Sequence, residues 1–366
     1  MKYVTLKDVC TINMGQSPDS DSYNDNGEGV PFFQGNADFG ERYPVTRKWC
    51  SAPTKMAAPE DILISVRAPI GAMNYAKEEC CIGRGLAALT PDKTKVSPKF
   101  IFWLLKGKNA ELNSKGTGST FKAIGRKVLE ETKVPDIPLE KQLEHSETLE
   151  KIYAVIQHRK SELQMLDNLI KARFVEMFGD PVHSDKYGTR KLSSCVAEKT
   201  DMVDGPFGSQ VNTKIDYIAK GEIPVIRTVN VKKMSFSPVD LKYMTRKKYE
   251  TVIRSQVLPG DVILTKVGTI GNVCVFPDTY KEAVLSTTGS CRIRVDNSIV
   301  NTEFFAYNLL YLKSKLLEIA SAGVQPFLNM NHVKNIDILN VPLGKQTKFA
   351  DFVHQVDKSK VVEIIN

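Results

Sequence analysis

The segment Pro59-Glu-Asp-Ile-Leu-Ile-Ser65 recurs later in the chain as Pro259-Gly-Asp-Val-Ile-Leu-Thr265, after an interval of 200 residues. An Ile-Gly pair follows each copy at the same distance, as Ile70-Gly71 and Ile270-Gly271. Both segments are short, rich in β-branched residues and opened by Pro-Glu or Pro-Gly, which is typical of a strand after a turn. Solenoid repeats are only about 20–50 residues long, so a period of this length indicates two duplicated domains.

Other segments repeat in the same order on both sides of this pair, and their spacing drifts by only a few residues. They are Pro31-Phe-Phe33 and Pro224-Val-Ile226, Phe100–Trp103 and Phe304–Tyr307, Phe121 and Phe327, and Ile137-Pro-Leu-Glu-Lys-Gln142 and Val341-Pro-Leu-Gly-Lys-Gln346. Each copy predicts a mixed α+β domain. The predicted strands are 30–33, 61–66, 223–226 and 261–267, the predicted helices lie within 100–105 and 304–317, and glycine-containing breaks follow the helices at 116–119 and 322–323.

A long helix is predicted between the two copies, because Glu140 to Phe178 contain neither glycine nor proline. Apolar residues recur there at alternating steps of three and four, which is a heptad pattern, and Gly179-Asp-Pro181 ends it. The predicted seam consists of Leu149, Ile152, Ile156, Leu163, Leu166, Ile170 and Met177. A second helix is predicted from Gln346 to Asn366, with an apolar face of Phe349, Val353 and Val356.

One apolar stripe needs a partner, so we expect these two helices to pack antiparallel as a coiled coil that separates the domains. The alternative is that each helix only covers its own domain. The predicted organisation is a first domain at 1–138, a central helix at 139–179, a second domain at 180–344 and a short distal helix at 345–366.

The composition is that of an ordinary globular protein. The chain has 366 residues, of which 42% are hydrophobic and 25% are charged. No apolar run approaches the roughly 20 residues that cross a bilayer, and the start MKYVTLKDVC lacks the apolar core of a signal peptide, so we expect a cytoplasmic protein. The seven cysteines form no C-x-x-C pair, which favours reduced structural thiols over a zinc site.

The sequence lacks the usual motifs of catalysis. It contains no Gly-rich loop with an Asn/Asp-Pro-Pro-aromatic motif for adenine methylation by S-adenosylmethionine, and no P-loop for ATP. Glu131-Thr-Lys133 and Asp136 could belong to a Mg²⁺-dependent nuclease, but this tripeptide is common and a solvated helix end explains it better. The five histidines have no metal-ligand spacing. We therefore predict a non-catalytic chain that holds no metal, with a fused nuclease as one alternative.

Clusters of basic and aromatic residues indicate a nucleic-acid partner. The formal net charge is +8, and the excess lies in the two long segments rather than between them. The candidate phosphate contacts are Arg42, Arg47 and Lys48 in the first copy, and Lys232, Lys233, Arg246, Lys247 and Lys248 in the second. Lys and Arg neutralise phosphates, and the interleaved tyrosines could pack on sugars or bases. The alternative is an ordinary solvated face.

Polar residues follow the matching strands 31–33 and 224–226 in both copies. They are Gln34 and Asn36 in the first copy and Arg227 and Asn230 in the second. Gln and Asn suit an adenine edge and Arg suits guanine, so two related domains would read two different sequences. Ordinary sequence drift after duplication would produce the same difference between the copies. Arg67 and Lys266, at the ends of the repeated strands, are further candidates for DNA contact.

In their order and duplication these features resemble one family, the specificity subunit of Type I restriction–modification systems, over nearly the whole chain. The resemblance is carried by the duplicated strand with its Ile-Gly pair, by Gly116-Thr-Gly-Ser-Thr-Phe121, by the Ile137–Gln142 junction, and by Leu166-Asp-Asn-Leu-Ile-Lys-Ala-Arg-Phe-Val-Glu-Met-Phe-Gly-Asp-Pro181. The last segment is similar to the end of the central helix of that family.

The resemblance implies two target-recognition domains, each reading one half of a split double-stranded DNA sequence. It implies that the helix pair fixes the gap between the half-sites and recruits two methyltransferase subunits. S-adenosylmethionine would then be bound by the methyltransferase, and Mg²⁺ and ATP by a restriction subunit where one is present, while this chain binds no cofactor and touches no membrane.

The chain departs from the family pattern in one respect. The distal helix, at 345–366, is much shorter than the central one, whereas members of the family usually have two helices of similar length. This leaves the spacer length and the oligomeric state open. A second alternative is a scaffold that binds proteins through its coiled coil and has no DNA specificity.

Overall fold

The structure, a computed structural model, describes residues 2–118, 122–183, 186–320 and 326–365, and from residue 361 onward only the backbone. The chain forms two compact units, Met1–Arg159 and Lys160–Asn366. The predicted domain boundaries at 138, 179 and 344 remain a prediction. Of the predicted repeat features, Ser119–Phe121 and Ala322–Gly323 lie outside the described residues.

The first unit is built from three sheets and several short helices. Its strands are β1 (Tyr3–Thr5), β2 (Cys10–Met14), β3 (Tyr23–Asn24), β4 (Val30–Phe33), β5 (Trp49–Cys50), β6 (Met56–Ala57), β7 (Ile62–Ser65), β8 (Met73–Tyr75), β9 (Cys80–Ile82), β10 (Leu86–Pro91) and β11 (Lys133–Pro135). Its helices are α1 (Leu6–Val9), α2 (Pro98–Gly107), α3 (Asn109–Ser114), α4 (Arg126–Glu130) and the first part of α5 (Leu139–Phe178). The strand orders are β1-β11, β2-β10-β7-β8 and β3-β5-β4-β9-β6.

The second unit repeats this plan. Its strands are β12 (Thr189–Lys191), β13 (Met202–Asp204), β14 (Ile223–Ile226), β15 (Lys242–Met244), β16 (Gln256–Val257), β17 (Val262–Thr265), β18 (Val273–Val275), β19 (Ala283–Leu285), β20 (Ser290–Ile293) and β21 (Asp337–Leu339). Its helices are the second part of α5, α6 (Arg246–Glu250), α7 (Thr302–Tyr311), α8 (Lys313–Ala320), α9 (Met330–Lys334) and α10 (Leu343–Ile365). The strand orders are β12-β21, β13-β20-β17-β18 and β15-β14-β19-β16. They repeat those of the first unit, whose third sheet carries β3 as an additional edge strand, so the predicted duplicated α+β fold is confirmed.

The turn before the repeated strand explains its Pro-x-Asp motif. Glu60 and Gly260 take the same left-handed conformation, with φ of 69° and 86°. The carboxylate of Asp61 accepts a hydrogen bond from the Ala58 N–H at 2.8 Å, and that of Asp261 accepts one from the Leu258 N–H at 2.7 Å. The aspartate thus closes the turn by satisfying a backbone donor that would otherwise be orphaned.

The Pro-Leu-x-Lys-Gln motif is also explained by its hydrogen bonds. Gln142 and Gln346 are both buried at the starts of α5 and α10. Gln142 Oε1 accepts a hydrogen bond from the Ser97 N–H at 3.0 Å, and Gln346 Oε1 accepts one from the Asn301 N–H at 2.8 Å. Each amide Nε2 donates to a carbonyl five residues earlier in the chain. The repeated glutamine therefore joins the start of α5 to the start of α2, and the start of α10 to the start of α7.

One match between the copies shifts in the structure. Phe327 forms a β-bridge with Val267, as Ala123 does with Arg67. The residue that corresponds to Phe327 is therefore Ala123, and the predicted match with Phe121 is corrected. The apolar core repeats in both units, since equivalent strand positions such as Ile64 and Leu264 are buried.

Helices α5 and α10 pack antiparallel within the second unit. The ring centroids of Phe174 and Phe349 lie 5.3 Å apart, and Lys360 Nζ is 2.9 Å from Asp167 Oδ1. A later residue of α10 thus contacts an earlier residue of α5, which shows that the two helices are antiparallel. Of the predicted seam, Ile170, Phe349, Val353 and Val356 are buried and Leu166 and Met177 are partly buried.

The centre of this packing differs from the predicted seam. Phe174 and Phe178, which the heptad pattern omits, are both fully buried and contact the rings of Phe304 and Phe349. The predicted seam residues Leu149, Ile152, Ile156 and Leu163 are exposed instead. A local drift from the heptad period toward steps of four explains the shift, since 170, 174 and 178 lie on one face of a straight helix.

The burial of the cysteines agrees with their prediction as structural thiols. All seven are buried and none is in a disulfide. Within the described ranges, no helix combines the length and apolar character that crossing a bilayer requires.

Candidate nucleic-acid interface

A cleft of about 620 Å³ opens in the first unit beside the ends of strands β4 and β7. The structure brings five of the predicted DNA contacts together there, namely Gln34, Asn36, Arg47, Lys48 and Arg67, and adds Arg84. Gln34, Arg47, Lys48, Arg67 and Arg84 are exposed, and Asn36 is half-buried. Residues that are up to 50 positions apart in the sequence thus line one concave surface.

The electrostatic character of this cleft is basic. Among its described lining residues, four are cationic and Asp38 alone is acidic. The carboxylate of Asp38 is bound to the backbone of its own loop, since Oδ2 accepts hydrogen bonds from the N–H groups of Gln34 at 2.7 Å and Gly35 at 3.3 Å. The cations carry few internal contacts: Arg47 Nη1 donates to the Ala37 carbonyl at 3.3 Å, and Lys48 Nζ lies 3.5 Å from the exposed Asp25. A phosphate or a base edge could therefore engage them.

Arg84 was missed by the sequence reasoning. It lies in the loop after β9, a strand that pairs parallel with β4 and so ends beside Gln34. The available signal was an arginine between two glycines, Gly83 and Gly85, directly after a buried strand. Such a position favours a side chain displayed from a tight backbone turn.

Arg42 lies elsewhere in the first unit. Its guanidinium is ion-paired with Glu150 on α5 and lies 5.4–5.7 Å from the ring centroids of Tyr75, Phe102 and Tyr153. Trp103 Nε1 also donates to Glu150, at 2.8 Å. Arg42 therefore fastens its loop to α5, because its guanidinium lies over aromatic faces and is paired with a carboxylate. Its contact with DNA stays a prediction, made at a site outside the cleft.

The corresponding strand end in the second unit is closed by internal contacts. Arg227 follows β14 as Gln34 follows β4, and its Nη2 is 2.7 Å from Asp240 Oδ2. Lys242 and Arg227 hold the pKa of the Asp240 carboxyl down, at about 2. Arg227 is thus in reach of the surface but carries a carboxylate partner that a DNA contact would have to share or replace.

Asn230 belongs to the framework of this strand end. It is fully buried, its Oδ1 accepts a hydrogen bond from the Arg227 N–H at 3.1 Å, and its Nδ2 donates to the carbonyls of Ser237 and Val239. Asn230 is therefore the structural equivalent of Asp38, whose carboxylate accepts a hydrogen bond from the Gln34 N–H, and not of Asn36. The prediction that Asn230 reads DNA is corrected, because all of its hydrogen-bonding atoms are engaged inside the unit.

Lys266 is also a framework residue. It is 3% exposed and ion-paired with Asp204. The equivalent position in the first unit is Val66, since Ile124 N–H and Leu328 N–H donate to the carbonyls of Val66 and Lys266, respectively. Burial of its ammonium removes Lys266 from the predicted DNA contacts.

The predicted basic residues of the second unit divide into those with a carboxylate partner and those without an ion pair among the residues that the structure describes. Arg246 Nη1 is 2.6 Å from Glu282 Oε1, and Lys248 Nζ is 3.2 Å from Asp216. A hydrogen bond from Tyr249 and the contact with Arg246 lower the pKa of Glu282. Lys232, Lys233 and Lys247 are exposed, and Lys233 lines a separate cavity beside α7 and α10. Tyr249 is buried, so it supports this pairing rather than a base contact.

Comparison with known proteins agrees with this architecture. The family model of the Type I restriction modification DNA specificity domain matches residues 1–166 and 205–366. The putative Type I restriction enzyme MjaX specificity subunit of Methanocaldococcus jannaschii is 44% identical over 160 residues, which is 44% of this chain and 38% of that subunit. The chain thus matches well under half the length of that relative.

Two further matches span most of the chain. The Type I restriction enzyme EcoBI specificity subunit of Escherichia coli is 21% identical over 386 residues, covering 97% of this chain and 78% of that one. The crystal structure of a Type I restriction-modification system S subunit from M. genitalium superposes with a TM-score of 0.55 at 14% identity, covering 98% of this chain and 90% of that chain. This last likeness shows a shared fold.

Proposed function

This chain belongs to the Type I restriction modification DNA specificity family, and from that premise we propose that it reads the DNA target of a methyltransferase complex. In this proposal the chain catalyses nothing itself. It binds double-stranded DNA, and each unit recognises one half of a bipartite target. The single observation that carries the proposal is the basic cleft of the first unit, where Gln34, Arg47, Lys48 and Arg67 converge on one concave surface.

The chemistry of the cleft supports a division of labour on DNA. Arg47 and Lys48 lie in the loop directly before β5 and are suited to phosphates. Phosphate contacts fix register and orientation without reading sequence. Gln34 and Asn36 follow β4 directly and carry amides that match the N6 and N7 atoms of adenine in the major groove. Recognition by this unit then combines a general electrostatic attraction with a small number of base contacts.

The second unit is proposed to read the other half through the same face of the same fold. Its strand end carries Arg227 and the exposed Lys232 where the first unit has Gln34 and the loop that follows it. Different side chains on one framework would recognise different half-sites, which makes the complete target asymmetric. The exposed Lys247 of α6 is proposed to contact the DNA backbone.

The long helices are proposed to set the spacer between half-sites and to recruit two methyltransferase subunits. Leu149, Ile152 and Ile156 form an exposed apolar stripe on α5, and exposed apolar stripes on soluble proteins commonly mark interaction surfaces. The methyltransferase would supply S-adenosylmethionine and the pocket for an adenine flipped out of the duplex. Where a restriction subunit joins the complex, it would supply ATP- and Mg²⁺-dependent cleavage.

The experiment that tests this proposal is co-expression of the full chain with its methyltransferase partner, followed by sequencing of methylated bases in the host DNA. The expected result is a split motif with N6-methyladenine in both halves, which disappears when this chain is deleted. The same apolar stripe favours a second candidate function, a protein-binding scaffold without DNA specificity. A stable complex whose methylation pattern does not depend on this chain would establish the scaffold and contradict DNA recognition.

A further inference from the structure

The loop that follows β9 in the first unit is held rigidly against the end of β4. The Gly83 N–H donates to the Phe33 carbonyl at 2.8 Å, and the Gly85 N–H donates to the Gln34 carbonyl at 3.2 Å. The carbonyl of Gly85 accepts a hydrogen bond from the Val66 N–H at 2.9 Å. Both ends of this three-residue loop are therefore hydrogen-bonded to residues at the ends of β4 and β7, which restricts its backbone.

Only the middle residue of this loop has room for a side chain. A Cβ atom added at Gly85 would lie 2.4 Å from the Gln34 carbonyl oxygen, and one at Gly83 would lie 3.0 Å from the Gln34 Cα. Both of these obstacles are backbone atoms, which cannot give way cheaply. The packing thus leaves position 84 as the one place where the loop can present a functional group, and that group is a guanidinium.

The surroundings of Arg84 differ from those of the arginines that are held by internal ion pairs. Arg42, Arg227 and Arg246 each carry a carboxylate partner. Arg84 is exposed at the cleft, and within the described chain its side chain has no ion pair. An uncompensated guanidinium on a fixed backbone can bind a planar acceptor pair without first breaking an internal bond or ordering a loop.

We infer that Arg84 is the residue that selects a guanine in the half-site read by the first unit. This inference rests on the proposed function. The planar fork of a guanidinium matches the O6 and N7 acceptors of guanine in the major groove, which is the commonest specific contact of arginine with DNA. Gln34, whose carbonyl binds the same loop, places an adenine-reading amide at the adjacent position.

The second unit lacks an equivalent group, which confines the effect to one half of the target. Its corresponding loop is Ser286-Thr287-Thr288-Gly289, anchored in the same way by the Ser286 N–H to the Ile226 carbonyl at 2.9 Å and by the Gly289 carbonyl to the Lys266 N–H at 2.8 Å. Threonine hydroxyls stand where the first unit has a guanidinium. A hydroxyl bonds to several bases and does not discriminate guanine strongly.

The test compares the wild-type chain, Arg84→Ala and the control Arg126→Ala, each co-expressed with the methyltransferase partner. Arg126 is an exposed arginine of the same unit that pairs with Glu130 on α4 and does not line the cleft. Methylated-base sequencing should show one guanine of one half-site becoming degenerate in Arg84→Ala, while the other half is unchanged. Purified complexes should prefer the guanine duplex over the substituted duplex by about 5- to 150-fold in the wild type and in Arg126→Ala, and by almost nothing in Arg84→Ala.

Three outcomes would overturn the inference. The motif of Arg84→Ala could be identical to that of the wild type, its affinity could fall equally for all duplexes with the guanine preference retained, or no guanine could occur in either wild-type half-site. The second of these would identify a phosphate contact instead. All three presuppose a wild-type complex whose methylation depends on this chain, so they are distinct from failure of the proposed function, which the wild-type arm detects by itself.

Discussion

Lys266 forms an ion pair with Asp204 inside the second unit, at the positions that Val66 and Met14 occupy in the first. The two copies thus fill one site of the same sheet with opposite chemistry. In one copy the site is apolar, and in the other it holds two charges of which the ammonium is almost fully buried.

We expect Lys266→Ala to lower the free energy of unfolding of the second unit by about 3 kcal/mol, because it leaves the Asp204 carboxylate without its partner. The double variant Lys266→Val with Asp204→Met, which installs the residues of the first unit, should recover most of this loss. Denaturant unfolding of the full chain measures both. A Lys266→Ala chain that is as stable as the wild type but binds DNA more weakly would return Lys266 to the DNA contacts.

Arg42→Ala should destabilise the first unit by about 2 kcal/mol, since it removes a guanidinium that lies against three aromatic rings and leaves Glu150 without its cationic partner. The recognised DNA sequence should not change. Thermal unfolding and methylated-base sequencing give the two readouts, and Lys99→Ala on the exposed side of α2 is the control. A changed motif with unchanged stability would contradict the framework role of Arg42.

Lys48→Ala should weaken binding to every DNA sequence by a similar factor, because an ammonium contacts phosphate without reading bases. The slope of log affinity against log salt should become shallower by about 1. Affinity measured over a salt series tests this, with Lys127→Ala as the control, since Lys127 is an exposed cation of α4 away from the cleft. A motif that loses one specified base would show that Lys48 reads sequence.

The turn before the repeated strand offers a matched pair of substitutions. Glu60→Gly should stabilise the first unit and Gly260→Ala should destabilise the second, each by about 1 kcal/mol. The reason is that the left-handed conformation costs free energy for every residue type with a Cβ atom. A Cβ at Gly260 would meet no atom within 4 Å, so backbone conformation alone decides the sign there. Unfolding midpoints in denaturant measure both changes. Equal stability of all three chains would mean that the turn relaxes to another conformation.

The buried thiols predict a pH dependence of stability. Burial raises the pKa of Cys10, Cys80 and Cys274 to about 12. Their contribution to stability is complete below pH 9, where unfolded thiols are protonated, and is lost as the pH rises from 9 toward 12, since only the unfolded chain ionises in that window. The folded chain should also resist thiol reagents at pH 8 and react fully in denaturant. Rapid labelling of the folded chain would contradict this burial.

Periodicity and repetition in the sequence located the secondary structure well. The strands predicted at 61–66 and 261–267 are β7 and β17, and the helix predicted from Glu140 to Phe178 is α5 within one residue. The helix predicted at 304–317 is interrupted at Leu312, where α7 gives way to α8. These features depend on neighbouring residues, so a local pattern is sufficient to reveal them.

The candidate site was only partly predictable. Gln34, Arg47, Lys48 and Arg67 were predicted as separate residues, and the structure places them around one cleft. The Gly-Arg-Gly segment at 83–85 indicated a displayed side chain, but the place of Arg84 beside Gln34 depends on the parallel pairing of β9 with β4, which the local sequence does not show. Lys266 and Asn230 were predicted as surface contacts, and both are buried.

The sequence by itself determined that this protein contains one fold twice, because duplicated turns, strands and glutamine anchors are encoded by residues close together in the chain. Only the tertiary structure decided which charges remain available to a partner. Asp240 lies 13 residues from Arg227, Glu150 lies 108 residues from Arg42, and Asp204 lies 62 residues from Lys266. The sequence shows which side chains are charged, but whether each charge is neutralised depends on contacts that form only when distant segments pack together.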